Sequence, residues 1–238
     1  NADGDALCSS FALCDILSAM NKKVFCILEE VPGSKYKFLN GEYSVYKTGD
    51  KTDYDLCIAV DCGGIDRLGS RIEIFKGSGN TINIDHHKSN NDFAEINIVK
   101  SKYSAAAEVI AELMDSLGFE ISDKAAMYLY GGIMSDSGCL KYSNTSPNTL
   151  RIAAKLMEHD FDHSYVNHML FDSNSMELTR LTGYVMNNVE SYEDGKITLV
   201  STTSELLSEY GVDERDADAL INIPRSIEGA EIAIEIKE

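Results

Sequence analysis

The sequence predicts an α/β fold in which a parallel sheet is flanked by helices, followed by the start of a smaller α/β C-terminal domain. Two short apolar runs, 56–60 and 81–84, are each followed by an aspartate, and residues 94–99 form a third strand-like run. Apolar residues at helical spacing occupy 7–20 and 104–117, on either side of these runs. Short apolar runs bounded by turn residues are typical of buried parallel strands, and strands that alternate with helices indicate a sheet covered on both faces.

Local patterns predict the remaining elements of the first half and the middle of the chain. Residues 22–29 have the composition of an early strand, and helical patterns recur at 123–134, 147–158 and 175–189. The segment Ser104-Ala-Ala-Ala-Glu resembles a capping box, which predicts that the Ser104 hydroxyl caps the helix that follows.

The pattern changes near residue 190. Glu193-Asp194-Gly195-Lys196 is a hairpin signal between two strand-like runs, and residues 229–238 alternate between polar and apolar as a strand does. We therefore predict a first domain of residues 1–185 and, in residues 190–238, the beginning of a second domain that stops before it can close a core of its own.

The charge of the chain limits its partners. Its 238 residues carry 39 acidic and 21 basic side chains, for a net charge of −18. Long nucleic acids are usually held by a basic surface that displaces counterions from many phosphates, so a long duplex is not an expected partner. No apolar run reaches the ~18–20 residues that span a bilayer, so a membrane is not an expected partner either.

The cysteines indicate a reducing compartment. None of the six forms the C-x₂-C pair of a zinc ribbon, and Cys14, Cys26 and Cys57 lie among apolar residues, as buried small hydrophobic side chains do. Because the chain also opens without a basic and apolar leader, we expect a cytoplasmic location.

Acidic side chains stand where the predicted parallel strands end. Asp61 and Asp85 follow two of these strands, and ligand sites in open α/β sheets lie beyond the carboxyl ends of the strands. Asp3 and Asp5, separated by a single glycine, precede the first helix, although either could simply cap it. Asp136 ends another helical pattern and has the same alternative explanation.

Two consecutive histidines strengthen the prediction of a metal site. His86 and His87 directly follow Asp85 at the end of a strand, and packing alone rarely explains such a tripeptide. Carboxylates together with imidazoles suit Mn²⁺, Mg²⁺, iron or Zn²⁺. The other histidines, His159, His163 and His168, lack an accompanying acid cluster and are interpreted as surface or packing residues.

Four motifs resemble those of the DHH phosphoesterase superfamily, and they occur in the same order: NADGDA, AVDCGG, IDHH and GGIMSDSG. The downstream segment KYSNTSPNTLRIAAKLME is similar to the subgroup of exonucleases that degrade short oligoribonucleotides and also hydrolyse 3′-phosphoadenosine 5′-phosphate. The tripeptide alone would be weak evidence, but four ordered motifs with suitable spacing are specific. The resemblance implies that residues 1–185 form the DHH catalytic domain.

The resemblance implies two divalent cations, with Mn²⁺ expected and Mg²⁺ as the alternative. The implied metal ligands are Asp3, Asp5, Asp61, His86 and Asp136. By this resemblance Asp3 binds the first metal, Asp5, His86 and Asp136 bind the second, and Asp61 bridges both. The reaction would use a metal-activated water.

The resemblance gives His87 a catalytic and substrate-binding role, in which it faces the scissile phosphate. The family pattern also has a histidine four residues before the first aspartate, a position that lies outside this chain, and a glycine-rich stretch with a histidine that has no counterpart in 190–238. We therefore expect the N-terminal strand, one metal ligand and the substrate clamp to be missing, which leaves the activity of this chain by itself open.

The expected function is hydrolysis of short oligoribonucleotides, of a nucleoside 3′,5′-bisphosphate, or of both. Alternatives within the superfamily are an inorganic pyrophosphatase, a cyclic-dinucleotide phosphodiesterase and a RecJ-type exonuclease. A non-catalytic nucleotide-binding fragment is a further alternative, whereas the absence of G-x-G-x-x-G excludes a Rossmann-type dinucleotide enzyme. The oligomeric state is left open, a homodimer included.

Overall fold

The structure, a computed structural model, describes residues 2–237. The chain divides into two compact units, one of residues up to 32 together with 36–170, and one of residues 33–35 together with those from 171 onward. The predicted α/β class, with parallel sheets flanked by helices, is confirmed. The division into a catalytic domain of residues 1–185 and the beginning of a second domain in residues 190–238 remains a prediction.

Within residues 2–237, the first unit contains five strands and six α-helices. Its strands are β1 (Ile27–Leu28), β2 (Ser44–Val45), β3 (Cys57–Val60), β4 (Thr81–Asp85) and β5 (Ile96–Val99). Its helices are α1 (Gly4–Ala19), α2 (Ile72–Gly77), α3 (Ala106–Ser116), α4 (Asp123–Asp136), α5 (Pro147–Leu156) and α6 (His163–Asn167). The sequence patterns thus located the main helices and three strands to within a few residues.

The described strands of the first unit form two parallel sheets, one of three strands and one of two. Strands β3, β4 and β5 lie side by side in that order, with Val60 opposite Ile84 and Asp85 opposite Val99. Strands β1 and β2 form a separate two-stranded parallel pair. Because β3 and β4 are parallel and in register, Asp61 and Asp85 emerge at the same edge of the sheet.

Helices α1 and α4 pack against each other in the centre of the first unit. Leu7 and Phe11 of α1 and Tyr128, Leu129 and Ile133 of α4 are at most 3% exposed, and they belong to one hydrophobic cluster. Helix α3 packs on both of these helices. The predicted ligands Asp5, at the start of α1, and Asp136, at the end of α4, are therefore held by the best-buried part of the first unit.

The second unit has its own small core. It comprises α7 (Met176–Asn187), β6 (Glu190–Tyr192), β7 (Ile197–Thr202), α8 (Ser204–Tyr210), α9 (Asn222–Arg225) and β8 (Ile232–Lys237). Strand β7 pairs antiparallel with β6 through the predicted hairpin and parallel with β8. Leu181, Val185 and Val200 form the centre of its apolar cluster.

Two local predictions were wrong. Of the strand expected at 22–29, only Ile27–Leu28 is paired, and its partner β2 is equally short. Ser104 does not cap α3, which begins after Ala105. Its hydroxyl donates instead to the carboxylate of Glu108 (2.8 Å).

Among residues 2–237, no helix is both long and apolar enough to cross a membrane.

The packing of α4 yields a stability prediction. Leu129→Ala removes a fully buried side chain from the α1–α4 core and should lower the free energy of unfolding by about 2–5 kcal/mol. Leu117, at the end of α3, is 57% exposed and provides the matched control, since surface changes usually stay within about 0.5 kcal/mol. Urea denaturation of both variants measures the difference, and equal losses would contradict this assignment of the core.

Candidate metal centre

Asp61 and the segment 85–87 meet at the carboxyl edge of β3 and β4. The Asp61 N–H donates to the carbonyl of Ile84 (2.9 Å) and so continues the ladder by one residue. His86 Nε2 lies 3.3 Å from Asp61 Oδ1, and His87 Nδ1 lies 3.5 Å from the same oxygen. Parallel register therefore brings together residues that are far apart in sequence.

Asp5 reaches this edge from the first turn of α1. Its side chain is fully buried, and its carboxylate accepts hydrogen bonds from the N–H groups of Ala106 (2.5 Å) and Ala107 (3.0 Å) and from the hydroxyl of Ser9 (2.9 Å). These two amides lie at the start of α3, where N–H groups have no partner within the helix and Ala105 has no polar side chain to offer. Asp5 is thus the cap of a helix that begins a hundred residues later in the chain.

Two glycines allow α1 and α4 to approach closely enough for this arrangement. A Cβ atom on Gly132 would lie 2.7 Å from Asp5 Oδ1 and 2.7 Å from the Ala107 Cβ. A Cβ atom on Gly4 would lie 2.0 Å from Ser135 Oγ. Gly4 lies within α1 and therefore serves close helix packing.

Asp136 completes the group at the C-terminal end of α4. One of its oxygens, Oδ2, lies 3.3 Å from His86 Nε2, and Asp5 Oδ2 lies 4.0 Å from the same nitrogen. His86 therefore faces three carboxylates, those of Asp5, Asp61 and Asp136. Ligand atoms of Asp5, His86 and Asp136 all lie within 4.8 Å of one another, and so do those of Asp61, Asp85, His86 and His87.

His86 is oriented as metal-binding histidines commonly are. Its Nδ1 donates to the main-chain carbonyl of Tyr103 (3.2 Å), because only a protonated nitrogen can pair with a carbonyl. This bond fixes the ring and directs Nε2 towards the three carboxylates.

His87 belongs to a separate hydrogen-bonded chain. Its Nδ1 donates to Asp85 Oδ1 (2.7 Å), and the amide of Asn90 donates to Asp85 Oδ2 (2.6 Å) and to Asn83 Oδ1 (2.7 Å). Burial opposes ionisation of Asp85, but the bonds from His87 and Asn90 lower its pKa to about 2. With Nδ1 engaged by Asp85, Nε2 is the nitrogen of His87 that is left for a further contact.

Asp3 occupies a more exposed position than the other predicted ligands. It is the N-cap of α1, and its Oδ1 accepts from the N–H of Ala6 (3.0 Å), so this residue does cap the helix. Its charge is nevertheless close enough to raise the pKa values of Asp5, Asp61 and Asp136. Asp3, Asp61 and His87 line one cleft.

The carboxylates resist ionisation in the metal-free protein. Burial, followed by the charge of Asp3, raises the pKa of Asp5 to about 6. Burial and the charge of Asp5 raise the pKa values of Asp61 to about 8 and of Asp136 to about 7. Burial lowers the pKa of His86, but the carboxylates of Asp61 and Asp5 outweigh this effect and raise it to about 9. The metal-free cluster therefore retains protons at a pH at which exposed carboxyls would have lost them.

Asp61 also has a strained backbone. Its φ of 53° places a non-glycine residue in the left-handed region, which aspartate enters more readily than most residues but still at a cost of order 1 kcal/mol. The conformation turns the chain at the end of β3, so that the side chain points to His86 rather than away from the sheet edge.

The donor set fits divalent cations. Asp61 Oδ1 and His86 Nε2 are buried and have no hydrogen-bond partner among residues 2–237. Buried polar atoms are almost always satisfied, and one explanation of an exception is an ion. A carboxylate oxygen and an imidazole nitrogen that face each other unsatisfied are the ligand types that Mn²⁺ and Mg²⁺ accept. The structure thus brings together Asp5, Asp61, His86 and Asp136, with Asp3 nearby.

Sequence reasoning missed several residues that support the site. Asp85 was noted within its motif but given no role. Glu108 was considered only as part of a capping box, and Asn83 and Asn90 were not considered. Asn83 is fully buried in β4, and a polar residue inside an apolar strand is a signal that could have singled it out.

His163 and His168 are exposed, as the sequence predicts for them.

The sequence of the chain is similar to those of known proteins. A model described as "DHH family, N-terminal domain" matches residues 1–133. The bifunctional oligoribonuclease and PAP phosphatase NrnA of Thermus thermophilus is 28% identical over 238 residues, which cover 99% of this chain and 69% of that protein. A Streptococcus mutans relative is 28% identical over 183 residues, which cover 76% of this chain and 57% of its own length.

A solved structure has the same fold over the whole chain. An exopolyphosphatase-related protein from Bacteroides fragilis superimposes with a TM-score of 0.92 at 25% identity, covering 100% of this chain and 73% of that one. The chain thus spans between about half and three quarters of the length of these proteins.

The raised pKa values predict how metal affinity depends on pH. Below a carboxyl's pKa the metal-free site holds a proton that a cation must displace, so affinity is lost as the pH falls. With Asp5, Asp136 and Asp61 titrating near 6, 7 and 8, the affinity for Mn²⁺ should rise steeply from pH 6 to pH 8.5. Calorimetry in two buffers of different ionisation enthalpy would detect the released protons, and an affinity independent of pH over this range would refute the prediction.

Proposed function

Because the chain belongs to the DHH family, we propose that it acts as a two-metal phosphoesterase on short oligoribonucleotides, on a nucleoside 3′,5′-bisphosphate, or on both. The observation that carries this proposal is the convergence of His86 with the carboxylates of Asp5, Asp61 and Asp136. Two atoms of this group, Asp61 Oδ1 and His86 Nε2, are buried without a hydrogen-bond partner among the described residues. The family and the names of the relatives agree with the predicted enzyme class, a hydrolytic phosphoesterase.

Five side chains would hold the cations: Asp3, Asp5, Asp61, His86 and Asp136. Bound divalent cations would polarise phosphoryl oxygens and lower the pKa of a water. Of the five residues, Asp61 has the position suited to sharing, because it lies between the His86 side of the cluster and the cleft that Asp3 also lines. Mn²⁺ is the proposed metal and Mg²⁺ the alternative, since a mixed oxygen and nitrogen donor set suits Mn²⁺ better.

His87 would bind the phosphate and hold a proton beside it. It is partly exposed, it lines the cleft with Asp61, and the carboxylate of Asp85 stabilises its protonated form. That hydrogen bond, the charge of Asp61 and the charge of Asp85 raise the pKa of His87. A cationic imidazole next to a phosphate can neutralise charge or donate a proton to a leaving oxygen.

Mutation of these residues gives a direct test of the assignment. Asp61→Ala should abolish both Mn²⁺ binding and turnover, because it removes the proposed shared ligand. His87→Ala should retain Mn²⁺ binding but lower kcat by about 10²–10⁴-fold, the range expected for loss of a general acid or base. His163→Ala, which changes an exposed histidine of α6, is the matched control and should be silent.

Each variant is measured by calorimetry with Mn²⁺ and by hydrolysis of a dinucleotide, of adenosine 3′,5′-bisphosphate and of pyrophosphate. An active Asp61→Ala protein, or a His87→Ala protein that no longer binds Mn²⁺, would contradict the assigned roles. Turnover of pyrophosphate alone would replace the proposal by the pyrophosphatase alternative. Binding of Mn²⁺ and nucleotide without any turnover would favour the non-catalytic fragment.

The charge of the protein predicts a preference for short substrates. Outside the cluster, each extra phosphate of a long RNA meets a surface with a net charge of −18, which repels it and releases few counterions. Di- to pentanucleotides should therefore be degraded much faster than a 24-mer of the same sequence, and the 24-mer should compete poorly at moderate salt. A time course on labelled RNAs of both lengths measures this, and equal rates would favour the RecJ-type alternative.

A further inference from the structure

The segment 141–149, KYSNTSPNT, belongs to the stretch that resembles the oligoribonuclease subgroup, but it has no part in the proposed chemistry. It connects the end of α4, where Asp136 lies, to the start of α5. Three of its side chains, those of Asn144, Asn148 and Thr149, donate hydrogen bonds to other segments of the first unit. The targets of these bonds lie next to the candidate ligands.

Asn144 joins two main-chain segments through one amide group. Its Nδ2 donates to the carbonyl of Asp136 (3.0 Å) and to the carbonyl of Ser104 (3.2 Å). A side-chain amide has two N–H donors, and each is used on one carbonyl. The carbonyl of Asp136 lies in the last turn of α4, where carbonyls have no partner within the helix. Asn144 thus closes the end of α4 against the segment that precedes α3.

That segment also orients His86. The carbonyl of Tyr103, the residue before Ser104, accepts the bond from His86 Nδ1. A shift of the Ser104 peptide would therefore move the acceptor that fixes the His86 ring. Through Asn144, the main chain of Asp136 and the orienting group of His86 are linked by two hydrogen bonds, and the two side chains face each other at 3.3 Å.

A buried carboxylate holds the other side of the same linkage. Glu108 is fully buried and accepts from the N–H of Ser104 (2.9 Å), the hydroxyl of Thr149 (2.9 Å) and the amide of Asn148 (3.1 Å). It therefore fixes Ser104 and the start of α5 relative to α3. Glu108 thus anchors Ser104, which Asn144 contacts, and α5, which follows Asn144 in the chain. Asn144 therefore has a defined position although its side chain is exposed.

We propose that Asn144 is a positioning residue, which sets the distance between Asp136 and His86 so that both can bind the same cation. The proposal rests on the proposed function, because it requires these two residues to be ligands. Hydrogen-bond partners behind metal ligands commonly change metal affinity by about 10–100-fold when they are removed.

The test measures Mn²⁺ affinity by calorimetry together with the melting temperature of the metal-free protein. Asn144→Ala removes both N–H donors, and Asn144→Asp places a carboxylate oxygen against two carbonyls. Each should weaken Mn²⁺ binding by about 10-fold or more, while the metal-free melting temperature stays near that of the unaltered protein. Asn187 is the matched control, because its exposed amide also donates to a main-chain carbonyl, that of Gly183 (2.9 Å), within α7 of the second unit.

The outcomes separate the two proposals. If the unaltered protein binds no Mn²⁺, the proposed function fails and this inference fails with it. If the unaltered protein binds Mn²⁺ and Asn144→Ala binds it equally well, only the positioning role is overturned. A loss of affinity that comes with a lower metal-free melting temperature in Asn144→Ala, or an equal loss in Asn187→Ala, would also overturn it. If Asn144→Asp alone melts early, Asn144→Ala decides.

Discussion

The carboxylate of Asp5 is the group on which the first unit and its site both depend. It has no exposure to solvent, and it is held by the amides at the start of α3, by Ser9 within α1, and by the space that Gly132 leaves in α4. A buried carboxylate without donors would be strongly destabilising. Here the helix α3 needs an acceptor, Asp5 needs donors, and their meeting fixes three helices against one another. The same contact places a negative charge 4.0 Å from His86 Nε2.

The cluster around His86 shows how a site can work against the stability of its own fold. Three carboxylates face one imidazole, and the pKa of each carboxyl is raised. Such repulsion is tolerable because the well-packed contact of α1 with α4 lies directly behind it. Residues that bind or react often make a protein less stable than other residues at the same positions would. The division of labour extends over three of the four motifs, since Asp5 and Asp61 carry the charge while Gly4 and Gly132 only make room.

The sequence predicted those parts of the fold and site that depend on local patterns. Strand ends and helix ends were located from apolar runs, and Asp61 and Asp85 were correctly expected at one edge of a parallel sheet. Long-range pairings could not be predicted in this way. Nothing near Ser104 shows that its helix is capped by a residue 101 positions earlier, so the local capping box was preferred and was wrong. The support given by Asn90 and Asn144 was invisible for the same reason, because an asparagine in a loop has many local uses.

The left-handed backbone of Asp61 bears on how this chain could change over evolutionary time. Only asparagine, aspartate and glycine adopt that conformation with little penalty, and only aspartate supplies a negatively charged ligand there. A descendant released from selection for metal binding would lose a buried repulsive charge and keep its turn by replacing Asp61 with asparagine or glycine. Those two substitutions would spread in inactive lineages before most others. In a related sequence, asparagine or glycine at the position of Asp61 would therefore indicate that the turn after β3 has been kept and the proposed metal site has been lost.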